Sequence, residues 1–115
     1  MSLNIDLSEL VSKDNILNYE NKLFEMYKQL NIFLSKDEYK FSNNSKLNLD
    51  IDLLNDLQLK IVKLKMSKNE LIKFKRNNFI PNGVISDDYE LTFDLEINEN
   101  LKLFVTKLNV ILNYI

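Results

Sequence analysis

Two pairs of acids are the side chains in this sequence whose spacing comes closest to a chemical site. Asp50 and Asp52 are two residues apart, and Asp87 and Asp88 are adjacent. Paired carboxylates can bind hard cations such as Ca²⁺ or Mg²⁺, which prefer oxygen ligands. A calcium loop also needs further oxygen ligands at fixed spacing and a glycine at its sharp turn, and neither pair has them. Both pairs are therefore interpreted as solvated acids, and no metal ligand is predicted.

Most of the side chains that enzymes use as catalysts are missing. The 115 residues include no histidine, cysteine, tryptophan or alanine, and Gly83 is the single glycine. The chain therefore has no imidazole base near neutral pH and no thiol nucleophile or soft metal ligand. One glycine cannot form a glycine-rich phosphate loop. Composition predicts a protein that is not an enzyme and that uses no cofactor.

Length and charge restrict the remaining classes of function. A chain of 115 residues and 13.6 kDa is the size of one domain. Its net charge of −2 disfavours nucleic acid as the main partner. No apolar run reaches the roughly 18–20 residues that span a bilayer, and the N-terminus lacks the pattern of a secretion signal. We expect a cytoplasmic protein without membrane insertion, bound to a protein partner as a homo- or heterodimer.

The first part of the sequence has a helical pattern. The polar stretch at 37–46 predicts a loop or short linker after it. The sequence therefore divides into an N-terminal helical segment over 1–45 and a module over 46–115, packed as a single domain. Within residues 14–36, large apolar side chains recur at steps of three and four, which predicts one long helix: Ile16, Tyr19, Leu23, Met26, Tyr27, Leu30, Phe33 and Leu34.

The second part alternates apolar and polar residues, which is the period of a β-strand. The alternation runs from Leu47 to Met66, with a slip in phase at Val62, as one bent strand or a hairpin. It is strict from Tyr89 to Ile97. Ser67 to Glu70 fits a capping box that would begin a short helix. Residues 101–115 suit either a helix or strands, and strands are slightly favoured. The predicted fold class is α+β: a long N-terminal helix followed by a mostly antiparallel, twisted sheet with one short helix inserted.

Charge is separated into two blocks. Residues 57–79 contain seven Lys or Arg and one acid, whereas residues 80–100 contain six acids and no base. In an antiparallel sheet the blocks would lie side by side, and each cross-strand pair would contribute a few tenths to about one kcal/mol. A basic patch for an anionic polymer is less favoured, because the neighbouring acids would cancel much of its field. The predicted pairing sets Lys60, Lys63 and Lys65 opposite Glu90, Asp94 and Glu96.

About half of the sequence resembles a known family of assembly modules. The segment between Asp50 and Asn98 resembles the SpoA (surface presentation of antigens) domain. That domain is the C-terminal module of the flagellar motor switch protein FliN and of the sorting-platform proteins of type III secretion. The resemblance implies a mostly β-stranded, intertwined dimer that serves as a building block of a cytoplasmic ring. The residues that carry it lie in five stretches: Asp50–Leu53, Leu57–Ile61, Met66–Phe74, Asn77–Ile80 and Phe93–Asn98.

The resemblance also suggests where a partner would bind. Phe79 and Ile80 fall where that family presents an apolar patch to its partners, although both could equally be core residues. Together with the acidic Glu90, Asp94 and Glu96, they are the predicted partner-binding residues. The predicted function is a non-enzymatic protein–protein interaction module, as a structural subunit of a flagellar switch or type III secretion assembly. The alternative is a small acidic inhibitor or immunity-type protein, from a phage or mobile element, that blocks a partner enzyme.

Overall fold

The structure, a computed structural model, describes residues 5–35, 45–78 and 88–114. Helices make up most of these residues, and no strand occurs among them. One helical turn, α1, covers Ser8–Val11, and a 3-10 turn covers Leu17–Tyr19. Three longer helices follow: α2 at Glu20–Leu34, α3 at Ser45–Asn77 and α4 at Asp88–Tyr114. The molecule measures 56 × 26 × 22 Å, and its long dimension reflects the length of α3.

A seven-residue repeat defines the inner face of α3. Leu47, Leu54 and Ile61 are spaced seven residues apart, and all three are fully buried. Seven residues are close to two helical turns, so this spacing keeps the side chains on one face. The next two positions of the repeat are Lys68 and Lys75. The inner face of α3 is therefore apolar in its first half and cationic in its second.

α3 and α4 form an antiparallel hairpin. α4 buries its own apolar row against α3 and α2, with Ile97, Phe104 and Ile111 again seven residues apart. Three ion pairs show that the two helices are antiparallel. As the residue number of the α3 member rises from one ion pair to the next, the residue number of the α4 member falls. From one end of the hairpin to the other, the pairs are Asp50–Lys107 at 3.2 Å, Lys68–Asp94 at 2.6 Å and Lys75–Glu90 at 3.2 Å.

α2 packs on one side of this hairpin and completes the hydrophobic core. The rings of Phe24 and Tyr27 meet the ring of Phe104 edge to face, with centroids 5.7 and 5.3 Å apart. Such pairs add about 0.5–1.5 kcal/mol beyond the burial of their area. The Tyr27 hydroxyl also donates a hydrogen bond to the side-chain oxygen Oδ1 of Asn55 in α3. Phe104 is thus the point where α2 is attached to α4.

The N-terminal segment is attached to α4 by one side chain. The Ile16 backbone amide donates to Asn98 Oδ1 at 2.8 Å, and Asn98 Nδ2 donates to the Asp14 carbonyl at 2.8 Å. These two bonds hold the chain across α4 just before α2 begins. Leu7 and Leu10, farther upstream, are buried in the same core as the long helices.

The turn before α1 is closed by a local contact. The Ser8 backbone amide donates to Asp6 Oδ1 at 2.9 Å. Hydrogen bonds from the Ser8 hydroxyl, and then from its amide, hold the pKa of the exposed Asp6 carboxyl below its ordinary value because they favour the charged form.

We expect Asn98→Ala to lower the free energy of unfolding by about 1–2 kcal/mol, because it removes two hydrogen bonds and leaves the part-buried Ile16 amide without its acceptor. The loss should be local. Hydrogen exchange of the Ile16 amide should accelerate more than that of amides in the middle of α3. Thr106→Ala, on the exposed side of the same helix, is the matched control. Equal protection of the Ile16 amide in both variants would contradict this prediction.

The α+β prediction is wrong. Residues 47–66 and 89–97, predicted as strands, lie inside α3 and α4, and residues 101–114 are helical rather than stranded. The SpoA-like description is wrong as well, because that module is mostly strands and its matched segment here is a pair of helices. The module over 46–115 is therefore not β-rich, and its buried side chains share one core with Leu7, Leu23 and Leu30.

Two smaller expectations also change. The capping box at Ser67 to Glu70 does not begin a helix, since it lies in the interior of α3. The helix predicted over 14–36 is present, but it runs from Glu20 to Leu34 and is preceded by the 3-10 turn.

Candidate protein-binding surface

The α3–α4 hairpin is longer than the helix that covers it. α2 has 15 residues and α3 has 33, which correspond to about 22 and 50 Å of helix. Glu20 is the first residue of α2. Its Oε1 lies 2.9 Å from Lys65 Nζ and forms an ion pair that lacks the geometry of a hydrogen bond. Beyond this level, α2 does not accompany residues 66–77 of α3 and 88–96 of α4, which we call the two-helix end.

Ion pairs replace the apolar core in the two-helix end. Lys68 and Lys75 occupy the inner position that Leu or Ile holds elsewhere in α3, and they bind Asp94 and Glu90 of α4. All four side chains are partly exposed, at 15–33%. Pairs in this setting contribute modestly to stability, because water screens them. These ion pairs determine which residues of α3 and α4 face each other, while much of the apolar surface at this end remains exposed to solvent.

Several large apolar side chains at this end face solvent. They do not form one face, because Tyr89 and Leu91 are two residues apart and lie on nearly opposite sides of α4. Exposed apolar residues that lie singly are ordinary on a protein surface. Five of these side chains are more than half exposed: Met66, Phe74, Tyr89, Leu91 and Leu95.

A groove between α3 and α4 provides a second apolar surface. We call it the outer groove; it has a volume of about 330 Å³ and an almost wholly apolar wall. It lies on the side of the hairpin away from α2, since α2 reaches α3 through Asn55 and Lys65, on the opposite side of that helix. The residues that line it are Leu53, Asp56, Leu57 and Lys60 of α3, and Leu103, Thr106 and Lys107 of α4.

Four charged residues continue the face of the outer groove, and we call them the charged belt: Lys60, Lys63, Glu96 and Glu99. Each stands seven residues from a groove-lining residue and therefore on the same face of its helix. These relations link Lys60 to Leu53, Lys63 to Asp56, Glu96 to Leu103 and Glu99 to Thr106.

The charged belt is open to solvent. All four residues are exposed. Among the described residues, no ion-pair partner lies near Lys60, Lys63 or Glu96, and Glu99 reaches only Lys102 of its own helix, at 3.8 Å. The belt therefore offers two cations on α3 and two anions on α4, and of these four only Glu99 has an ion-pair partner in the described part of the chain.

A polar pocket of about 320 Å³ lies where α2 meets the hairpin. Its charged side chains are Glu20 and Lys65, and Lys68 and Asp94, and each cation binds the acid beside it. The pairs neutralise one another, and the lining contains no hydroxyl, thiol or imidazole group. The arrangement is therefore structural, because it joins α2 to the two helices at the level where the core ends.

The structure places Asp50 and Asp52, the first of the two acid pairs, in different environments. Asp50 is buried and binds Lys107, whereas Asp52 is exposed. Asp87 lies outside the described residues. Within the parts of the chain that the structure describes, no group of three or more acids, histidines or cysteines is placed to hold a metal ion. None of the helices in those parts is long and apolar enough to cross a membrane.

The predicted partner-binding residues fall in different places. Glu90 and Asp94 bind lysines of α3, so their carboxylates are engaged inside the molecule. Glu96 is exposed and belongs to the charged belt. Phe79 and Ile80 lie outside the described residues. Of the three that the structure describes, Glu96 is the one whose side chain is left open on the outer face.

The sequence interpretation missed the outer groove and most of the charged belt. The missing signal is the spacing of seven residues that relates Leu53 to Lys60 and Glu96 to Leu103, which is visible once α3 and α4 are taken as helices. Comparison with known proteins adds no relative: no protein-family model, curated protein or solved structure matches this chain.

Proposed function

We propose that this chain is a non-enzymatic protein-binding module that acts through the outer groove and the charged belt. The observation that carries the proposal is the apolar groove on the side of the hairpin that α2 leaves uncovered. Leu103 is more than half exposed there and Leu53 more than a third. The absence of cysteine is compatible with work in a reducing cytoplasm, which we propose as its location.

The composition of the groove favours a polypeptide over a small molecule. Binding sites for small molecules are concave and direct a few polar groups at one point. The outer groove is open along the helices, has an apolar floor and carries its charges at the edge. An apolar centre with a charged rim is the usual anatomy of a protein–protein interface.

The more specific roles suggested by the sequence are not part of this proposal. The flagellar or type III secretion role depended on a β-stranded module, and α3 and α4 are helices. The inhibitor role depended on an exposed acidic surface around residues 90–99. Glu90 and Asp94 bind lysines there, which leaves Glu96 and Glu99 as a small acidic surface beside two exposed lysines.

A photocrosslinking amino acid at position 103 tests the proposal in the cells that make this protein. We expect adducts of discrete mass from position 103, because its side chain would lie inside the interface. Position 28, an exposed lysine on α2, is the matched control and should give none. The proposal is wrong if position 103 gives no adduct, or if both positions give the same pattern.

A further inference from the structure

We propose that the partner on the outer groove is a second copy of this chain, in a twofold dimer whose axis runs parallel to α3 and α4. This inference rests on the proposed function, because it uses the same surface and names its occupant. Two hairpins packed face to face would form a four-helix arrangement, with each α2 on the outside.

The order of charges along the hairpin is the first argument. The axis places α3 of one copy against α4 of its partner, with both copies at the same height. Lys60 lines the same groove as Leu103, and Lys68 binds Asp94, so Lys63 lies at the height of Glu96 and Glu99. Lys60 and Lys63 of one copy then face the partner's Glu99 and the partner's Glu96.

The same contact occurs twice, because a twofold interface uses one patch on both copies. The surface has its cations on α3 and its anions on α4 at one height, so the rotation sets every cation against an anion.

Apolar residues flank the charged belt on both sides. Leu53, Leu57 and Leu103 lie in the groove at one side of the belt. At the other side, Phe74 is fourteen residues beyond Lys60, and Tyr89 is seven residues before Glu96. Both aromatic side chains thus stand on the outer face, and both are more than half exposed. A second copy would cover the groove at one end and these two rings at the other.

The size of the face is the second argument. Leu53 to Phe74 spans about 32 Å of helix, and two helices side by side are about 20 Å wide. Each copy would contribute roughly 640 Å², so the dimer would bury roughly 1,300 Å², within the range of about 1,200–2,000 Å² for specific protein interfaces. The hairpin face is therefore large enough to hold a dimer without any other element.

A charge-swap experiment on the full chain tests the dimer. One variant carries Lys60→Glu and Lys63→Glu, and the other carries Glu96→Lys and Glu99→Lys. In each homodimer like charges would meet, so sedimentation equilibrium should show a dissociation constant at least about tenfold higher than for the unchanged protein. When the two variants are mixed in equal amounts, opposite charges meet again, and the dimer should return as a heterodimer.

Each outcome either supports the dimer or overturns it. At a protein concentration low enough for the unchanged chain to be a monomer, helical circular dichroism and melting temperature should be the same for all variants, because Lys60, Lys63 and Glu96 are exposed and have no ion-pair partner among the described residues. The inference is overturned if the unchanged protein sediments as a monomer, if either variant dimerises as tightly as the unchanged protein, or if the mixture stays monomeric. A monomer whose position 103 crosslinks to a different protein would refute the dimer and leave the proposed function standing.

Discussion

Phe104→Ala is expected to lower the free energy of unfolding by about 3–5 kcal/mol, as large-to-small changes of buried aromatic residues do. Phe104 is fully buried and holds the rings of Phe24 and Tyr27 edge to face. Truncation would leave a cavity between α2 and α4 and would remove both ring contacts. Domains of this size have a free energy of unfolding of only about 5–15 kcal/mol. The variant should therefore lose a large part of that free energy and melt at a much lower temperature than the unchanged protein.

Urea denaturation followed by circular dichroism measures this effect. Leu95→Ala is the matched control, since Leu95 is a large apolar residue of the same helix with 59% of its surface exposed. That variant should stay within about 0.5 kcal/mol of the unchanged protein. If the alanine variant does not fold, Phe104→Leu should still unfold cooperatively at a lower urea concentration. A Phe104→Ala variant within 1 kcal/mol of the control would mean that α2 is held mainly by other contacts.

The α2 helix was predictable because its pattern has few exceptions. Leu23, Leu30 and Phe33 are buried, and the charged residues between them, such as Glu25 and Lys28, are exposed. The amphipathic spacing and the burial therefore agree, which is the situation in which periodicity predicts a helix.

In α3 the helical pattern was hidden by exposed apolar residues. The alternation Leu47, Leu49, Ile51 and Leu53 joins residues from opposite faces, because Leu47 is buried while Leu49 and Leu53 are exposed. The inner face also contains a buried acid, Asp50, where the pattern would need an apolar residue. Apolar residues outside and a charged residue inside together imitate the period of a strand.

α4 shows the same effect at its start. Tyr89, Leu91 and Leu95 are exposed, whereas Glu90 and Asp94 lie toward α3 and bind its lysines. The residues that misled the prediction of secondary structure are thus among those that now mark the exposed apolar surface. A sequence pattern alone cannot distinguish a strand with one buried face from a helix with exposed apolar residues, because the sequence does not show which leucines are buried.

The separation of charge was informative, although its pairing differs from the prediction. The basic and acidic blocks do face each other, but across two helices, and the partners are Lys68 with Asp94 and Lys75 with Glu90. The position in the seven-residue repeat decides which lysines point inward. Lys60 and Lys63, predicted to pair within the chain, are exposed on the outer face instead.

Lys107→Met should be the second most damaging of these changes, with a loss of about 2 kcal/mol in the free energy of unfolding. Its ammonium lies 3.2 Å from Asp50 Oδ1, and the Asp50 side chain is only 9% exposed. Removing one member of a buried ion pair costs about 3–5 kcal/mol, because it leaves the other charge without compensation. We expect the smaller figure because the Lys107 side chain is 34% exposed, so water can partly replace it.

Lys22→Met is the matched control, since Lys22 binds Glu9 at 3.3 Å but both side chains are more than half exposed. That change should cost less than about 0.5 kcal/mol. Adding Asp50→Asn to Lys107→Met removes the uncompensated charge, so the double variant should lose less than the two single losses combined. Urea denaturation at low protein concentration measures all four variants as monomers. If Lys107→Met proves as mild as Lys22→Met, water reaches Asp50 freely and the ion pair does not secure this end of the hairpin.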